Sequence, residues 1–365
     1  MKKFQFLFFI PVFYFAQVSD SLEGKSSPLD VSAYVEMYYN YDIDDQGGYA
    51  QQPCFVSYAE KNGINANLVL LQIKREEANT RGHLGVMTGN YAQYNLAAEP
   101  DLLRHIYEAS FGVKLKNYTW LDVGVLPSHI GCESAIGSQN FNLTRSLIAE
   151  NSPFFETGAR LSYDREKKWS FAVLLLNGWQ NIKETNKGKA LGTLVTFKPN
   201  SSITINSCGF AGNEKPDTAK QYRLFHDFYI TWNKSKFFSL IFSADVGAQQ
   251  RIPDKDGNQG FDAWHGGSLQ LRFAPSKKLF FSLRTEEYWD ENKIIINPTA
   301  IGLNGETLGF SARGGSINMD YKIKGNVLWR TEFKYLESDN TVFLNSQNKK
   351  SNTELQATAA IMISF

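Results

Sequence analysis

The stretch LQATAAIMISF, residues 355–365, gives the first indication of the fold class of this chain. Its odd positions, from Leu355 to Phe365, are all apolar, whereas its even positions begin with Gln356 and end with Ser364. A period of two predicts a β-strand with one apolar face and one wetter face. Because chain termini usually fray in water, the apolar Phe365 indicates that this strand is tied into a larger apolar surface.

The same alternation recurs along the chain from about residue 29. Aromatic residues make up 14% of the sequence, which favours strands because aromatic side chains fit a pleated surface. Soluble β-sandwiches alternate in the same way, so alternation alone leaves the environment open. The clearest segments are VSAYVEMYYNY (31–41), FETGARLSYD (155–164), YRLFHDFYITW (222–232) and VLWRTEFKY (327–335).

The connections between these segments separate a membrane barrel from a sandwich. Short turns such as 116–117 and 322–325 alternate with long polar stretches such as 127–153 and 291–306. Short turns at one end and long loops at the other are typical of outer-membrane barrels. The sequence therefore predicts an all-β fold, a transmembrane antiparallel β-barrel of about sixteen strands with short periplasmic turns and long external loops.

Aromatic residues flank two segments at the spacing expected across a bilayer. Trp169 and Trp179 lie ten residues apart on one predicted face, and Tyr222 and Trp232 do the same. Ten residues at about 3.3 Å each, tilted by about 40°, span roughly 25 Å, the height of the apolar band. We predict that these four side chains belong to the membrane girdles. Phe365 is expected to end the last strand on the lipid face and resembles the assembly signal of bacterial outer-membrane barrels.

The N-terminus has the layout of a cleaved secretory signal. Two lysines precede about a dozen apolar residues, which are too few for a spanning helix. We predict that residues 1–21 form the signal peptide, with the cleavage position open between 16 and 21. Residues 22–365 then form a single barrel domain.

Charge and cysteine usage limit the other classes of function. The 38 basic and 37 acidic residues leave a net charge of +1, which gives no electrostatic footprint for nucleic acid. Three cysteines are too few for a disulfide framework, and the sequence leaves open whether Cys54 and Cys132 pair. No catalytic motif, cofactor or metal site is expected, since the histidines lack metal-ligand spacing.

One connection, residues 127–153, is far longer than an ordinary loop, and we call it L3. Its candidate constriction residues are Glu133, Arg145 and Glu150. The sequence does not decide whether L3 folds into the lumen or caps the barrel from outside.

Four motifs resemble the OmpL-like family of β-barrel porins: GCE (131–133), NFNLTRS (140–146), TGARLSYD (157–164) and NGW (177–179). The resemblance spans most of the mature chain and is concentrated in residues 105–180. It implies a pore-like barrel in the bacterial outer membrane, with outer-membrane lipid and the barrel-assembly machinery as partners and a homo-oligomer as an open alternative. In general porins a long third loop folds into the lumen, and L3 holds the same ordinal place.

The wetter face of each strand would line the channel of such a barrel, and rings of fixed charge there bias ion passage. Each arginine could instead be neutralised by a neighbouring acid. The candidate pore-lining residues are Arg160, Arg223, Arg272, Arg284, Arg330, Glu36, Glu156, Glu286 and Glu332.

The predicted function is passive diffusion of small hydrophilic solutes or ions through a water-filled channel, without enzyme activity. Two alternatives stay open at this point. One is an outer-membrane barrel with an adhesin role or an enzyme at its rim, where His129, Asp262 and His265 are the candidates. The other is a secreted soluble β-protein that binds sugars.

Overall fold

A computed structural model describes residues 29–44, 54–165, 168–253, 257, 259–296, 308–344 and 350–365. Within these ranges the chain forms a closed antiparallel barrel of sixteen strands. The predicted signal peptide, 1–21, lies outside the described residues. None of the described helices is long and apolar enough to cross a membrane.

Each barrel strand pairs with its neighbours in sequence order, and the first pairs with the last. The barrel strands are β1 (Asp30–Asp42), β2 (Ile64–Glu76), β3 (Thr80–Thr88), β4 (Ile106–Lys116), β5 (Thr119–Pro127), β6 (Phe155–Asp164), β7 (Trp169–Leu176), β8 (Ala190–Asn200), β9 (Ile203–Asn213), β10 (Tyr222–Trp232), β11 (Phe238–Gln250), β12 (Phe261–Phe273), β13 (Leu279–Asp290), β14 (Phe310–Lys324), β15 (Val327–Glu337) and β18 (Thr353–Ser364). Between β15 and β18, β16 (Phe343–Leu344) and β17 (Lys350–Ser351) form a separate two-stranded hairpin.

The connections alternate in length as the sequence predicts. The turns between β2 and β3, β4 and β5, and each later pair at that end are short, whereas the connections at the opposite end are long. Two of the long connections contain short helices, α1 (Asn90–Asn95) and α2 (Leu147–Glu150). The 3-10 turns Leu103–His105 and Gly137–Gln139 lie in the same two connections.

The strand predicted from residues 355–365 is confirmed, and it closes the barrel. Ile363 of β18 pairs with Val35 of β1 on one side and with Val327 of β15 on the other. The Phe365 amide donates to the Ala33 carbonyl over 2.9 Å, so the last residue still belongs to the sheet. Closure leaves no sheet edge, which is the only β architecture that satisfies every backbone group in lipid.

Side chains alternate between the lumen and the lipid along every strand. In β18 the even positions, from Glu354 to Met362, are buried inside the barrel. Large apolar side chains such as Leu161, Val173 and Phe333 are exposed on the outer wall, where lipid would cover them.

Three of the four aromatic residues predicted for the girdles lie on the outer wall, and their place in a membrane girdle stays a prediction. Trp169 lies on the outer wall, where its ring stacks on that of Phe197 at 4.2 Å between centroids. Tyr222 begins β10 and Trp232 ends it, and both alternate with the inward residues.

The prediction for Trp179 is wrong. Strand β7 ends at Leu176, three residues before Trp179, and the following loop turns into the lumen. There the Trp179 ring packs edge-on against Phe210 and Phe225, with centroids 5.0 and 4.8 Å away. Spacing along the sequence fails here because it assumes that the strand continues for three more residues.

Leu161 and Ser162 are neighbours on opposite faces of β6, so substitutions at these two positions compare the lipid face with the lumen face at nearly the same depth in the membrane. Leu161→Arg places a charge in the apolar band and should cost about 2–4 kcal/mol of folding free energy. Ser162→Arg places the same charge in the wet lumen and should be tolerated better. Heat-modifiable gel mobility after refolding into lipid vesicles measures the folded fraction, and equal losses in both variants would contradict the face assignment.

Candidate functional site: the inserted loop L3 and the periplasmic vestibule

Loop L3 enters the lumen and binds the inner wall through its backbone carbonyls. The Arg330 guanidinium donates to the carbonyls of Gly137 and Phe141 over 2.6 and 2.7 Å. Further along the loop, Arg284 donates to the Thr144 carbonyl over 2.6 Å. Because these arginines come from β13 and β15, the wall fixes the loop from the side of the barrel opposite β5 and β6.

Inward-facing acids of the same wall accept from the loop amides. The Thr144 amide donates to Glu332 over 2.6 Å, and the Leu147 amide donates to Glu286 over 2.6 Å. A loop with little regular structure has no ladder of its own, so these side chains satisfy backbone groups that would otherwise be buried without partners.

The three candidate constriction residues lie within the packing of L3. Arg145 is fully buried and donates to the Ala135 carbonyl over 2.5 Å. Glu133 accepts from the Ser146 amide over 3.1 Å, and burial raises the pKa of its carboxyl. Glu150 accepts from the Val56 amide over 2.7 Å, which joins L3 to the loop that follows β1. All three residues therefore stabilise the packing of L3 inside the lumen.

The loop after β1 also contributes to the filling of the barrel. Its Lys61 bridges Asp42 and Glu354 over 2.5 and 2.6 Å and is almost fully buried. The cysteines whose pairing the sequence left open, Cys54 and Cys132, are both free.

Two apolar clusters complete the packing of L3 in the lumen. One packs Ile130, Leu147 and Ile148 of L3 against wall residues that include Phe225 and Trp264. The other packs Ala135 and Leu143 of L3 against inward residues of β1 to β5. The loop thus fills the space between opposite walls.

The periplasmic half of the lumen is different, and we call it the vestibule. Two buried carboxylates there are each shared by two arginines. Asp122 is held by both nitrogens of the Arg81 fork over 2.6 Å and contacts Arg160 at 3.4 Å. On the wall of β12 to β15, Asp320 binds Arg330 over 2.6 Å and Arg272 over 2.7 Å. Each group carries one more positive than negative charge.

The family model described as "Putative beta-barrel porin-2, OmpL-like" matches residues 28–365. The chain belongs to this family. The resemblance drawn from the sequence motifs is confirmed, and the protein is a porin with a lumen that its own loops narrow.

Solved porin structures share the fold at very low sequence identity. An anion-selective porin from Comamonas acidovorans is 8% identical with a TM-score of 0.59, over 93% of this chain and 100% of that one. The outer membrane channel DcaP of Acinetobacter baumannii is 11% identical with a TM-score of 0.58, over 93% and 98%. OmpT of Vibrio cholerae is 8% identical with a TM-score of 0.57, over 95% and 100%. No curated protein sequence matches this porin.

The nine pore-lining candidates of this porin all lie on the inner wall, but most are covered. Glu36, Glu156, Glu286, Glu332, Arg284 and Arg330 are buried beneath L3 or the loops beside it. Arg223 lies between the Trp179 and Trp264 rings and donates to Gln249 over 3.0 Å. Arg160 and Arg272 keep part of their guanidinium groups exposed in the vestibule, 26% and 20% of each side chain.

Two vestibule residues of this porin were not among the candidates, although the alternation contained a signal for both. Arg81 of β3 and Asp122 of β5 occupy inward positions of alternating strands. Their pairing, together with Arg160, depends on the register of β3 to β6, which the sequence alone did not supply.

The residues considered for a rim enzyme do not come together in the porin. His129 is buried at the root of L3, whereas His265 lies on the outer wall and stacks on Trp289 at 5.0 Å. Asp262 pairs with Arg251 over 2.6 Å. Among the residues that the structure describes, no three His, Cys, Asp or Glu side chains are placed to hold a metal ion.

His129 anchors the root of L3 with both ring nitrogens. Nδ1 faces the Glu156 carboxylate at 2.8 Å, and Nε2 faces the Gly209 carbonyl at 2.8 Å. Two acceptors are both satisfied only by the doubly protonated ring. Burial opposes that charge, but the Glu156 carboxylate and the Gly209 carbonyl outweigh it and raise the pKa of His129 above its ordinary value.

This anchor makes the stability of the porin depend on pH. A raised pKa in the folded state stabilises the fold fully below the ordinary value of about 6.5, and the gain is lost as pH rises through the folded pKa. We expect the free energy of unfolding, measured by urea titration of the refolded barrel, to fall as pH rises above neutral. His129→Gln should flatten that slope, while His226→Gln, on the outer wall, should keep it; an unchanged slope in His129→Gln would assign the effect to another group.

Proposed function

We propose that this porin carries small hydrophilic solutes and ions across the bacterial outer membrane by passive diffusion, with a preference for anions. L3 sets the upper size of the solute. The excess of exposed basic side chains in the vestibule supports the preference for anions.

The exposed basic groups come from strands all around the vestibule, whereas the principal acids are buried beneath them. Asp122 keeps 4% of its side chain exposed and Asp320 none, while Asp30, Glu76 and Asp164 are the exposed acids at inward positions of the described strands at this end. The inward basic residues that are exposed or half-exposed are Lys74, Arg81, Lys114, Arg160, Lys198, Arg272 and Lys322.

Fixed charges of one sign between low-dielectric walls concentrate counter-ions and orient them. An anion entering from the periplasm therefore meets an attractive potential before it reaches L3. Half-exposed residues of L3 between Gly131 and Phe141 face this space, so the loop forms the inner boundary of the vestibule. Solutes must pass that boundary, which favours small ones.

The proposed surroundings of the barrel follow from its outer wall. The exposed apolar side chains fit outer-membrane lipid, and the backbone pairing of Phe365 with β1 fits a role in recognition by the barrel-assembly machinery. A homo-oligomer is compatible with this wall. Because the interior is taken up by loop packing and a charged vestibule, we propose a channel rather than an enzyme.

Planar-bilayer recording with a KCl gradient tests the proposed function. We expect stable single-channel steps with a reversal potential of the sign for chloride preference. The preference should weaken as salt rises to about 1 M, where the Debye length falls to about 3 Å. A cation preference would contradict the assignment of the vestibule charges, and a barrel without openings would contradict an open path past L3.

Releasing L3 should widen the channel. Arg330→Gln removes the donor to three loop carbonyls and one of the two arginines that pair with Asp320, which should cost about 3–5 kcal/mol of unfolding free energy. We expect larger single-channel steps from this variant. The control is Arg313→Gln, which breaks an exposed pair with Glu337 on the outer wall and should leave the steps unchanged. Equal steps in both variants would show that L3 does not limit the current.

A further inference from the structure

The vestibule wall contains a small cavity where β2 to β6 meet. Its volume is about 180 Å³, and residues from all five strands line it. The lining includes the basic residues Lys74, Arg75, Arg81 and Arg160 and the acids Glu76, Glu108 and Asp122, but Arg75 lies at an outward position of β2 and pairs with Glu77 over 2.6 Å. Which ligand the cavity can bind depends on which of these charged side chains already form ion pairs or hydrogen bonds within the protein.

Two of the three acids, Asp122 and Glu108, already have hydrogen-bonding or ion-pair partners within the protein. Arg81 takes both oxygens of Asp122, with Nε and one terminal nitrogen each 2.6 Å from a carboxylate oxygen. Glu108 lies 2.5 Å from the His83 ring and accepts from the Ser110 hydroxyl over 2.9 Å. These acids therefore have little capacity left for a further cation.

Most N–H donors of the Arg160 guanidinium have no acceptor among the described residues. Among the described residues its only polar contacts are two at 3.4 Å to one oxygen of Asp122, near the limit for a hydrogen bond. Its side chain is 26% exposed toward the cavity. Lys74, exposed at the rim, has no ion-pair partner among the residues that the structure describes.

We infer that this cavity is a subsite for a small oxyanion, a phosphate or a short carboxylate, held by the Arg160 guanidinium with Lys74 at the rim. A guanidinium presents a planar fork that matches two oxygens of such a group and binds them more strongly than a point charge does. The volume suits a solute of a few heavy atoms. This inference rests on the anion preference proposed above and names the chemistry that would be preferred.

A subsite on a diffusion path has to bind weakly. Entry requires favourable binding, and exit requires that the solute leave again quickly. Affinity in the millimolar range meets both conditions. The subsite would then enrich oxyanions over chloride at the periplasmic end of the channel.

Isothermal titration calorimetry of the refolded porin in detergent tests the subsite without requiring any current. Inorganic phosphate and succinate are titrated separately, with sodium chloride of equal ionic strength as the reference. We expect saturable heat from at least one oxyanion, and the stronger of the two identifies phosphate or carboxylate as the preferred chemistry. No saturable heat from either in the native porin would overturn the inference.

Variants of Arg160 separate the subsite from general charge. Arg160→Gln should weaken binding by about tenfold, and Arg160→Lys should lie between it and the native porin because it keeps the charge but not the fork. Asp122 keeps its Arg81 partner in both variants, so the barrel should fold, which heat-modifiable mobility checks. Arg313→Gln on the outer wall is the matched control and should bind as the native porin does.

The outcomes distinguish this inference from the proposed function. Oxyanion binding that depends on Arg160 in a barrel without anion-preferring current would keep the subsite and refute the channel preference. Anion-preferring current together with equal oxyanion binding in Arg160→Gln would keep the proposed function and overturn the subsite.

Discussion

Backbone groups placed inside a membrane barrel must find partners there, and the whole interior of this porin follows from that constraint. The barrel wall uses its own amides and carbonyls in the strand ladders, so it has only side chains to offer an inserted loop. Arg284, Arg330, Glu286 and Glu332 supply the complementary donors and acceptors. L3 can lie in the lumen because these residues replace the secondary structure that it lacks.

The same constraint divides the charged residues of the lumen into two groups with different roles. The charged residues in contact with L3 are buried, paired and bound to loop backbone, so they contribute to the position of L3 and little to the field that a solute meets. In the vestibule the acids Asp122 and Asp320 are buried while arginines such as Arg81 and Arg160 remain half-exposed. The electrostatic character of the channel therefore comes from its periplasmic half.

The sequence predicts the barrel well because period-two alternation and loop length are local properties. Residues 355–365 predict the closing strand, and the structure pairs them with β1. The prediction fails at Trp179, where the end of β7 depends on packing against β9 and β10. It left the direction of L3 open because the partners of this loop, such as Arg330 for Gly137, lie almost two hundred residues away.

The accessibility of single cysteines in L3 measures whether this loop lies inside the lumen. With Cys54, Cys132 and Cys208 replaced by serine, Asn142→Cys and Gln139→Cys are each labelled with a water-soluble maleimide in the folded barrel. Asn142 is fully buried against the wall and Gln139 is exposed at the vestibule. We expect rapid labelling at 139 and protection at 142 until the barrel is unfolded. Equally rapid labelling at both positions, as in an external cap, would contradict it.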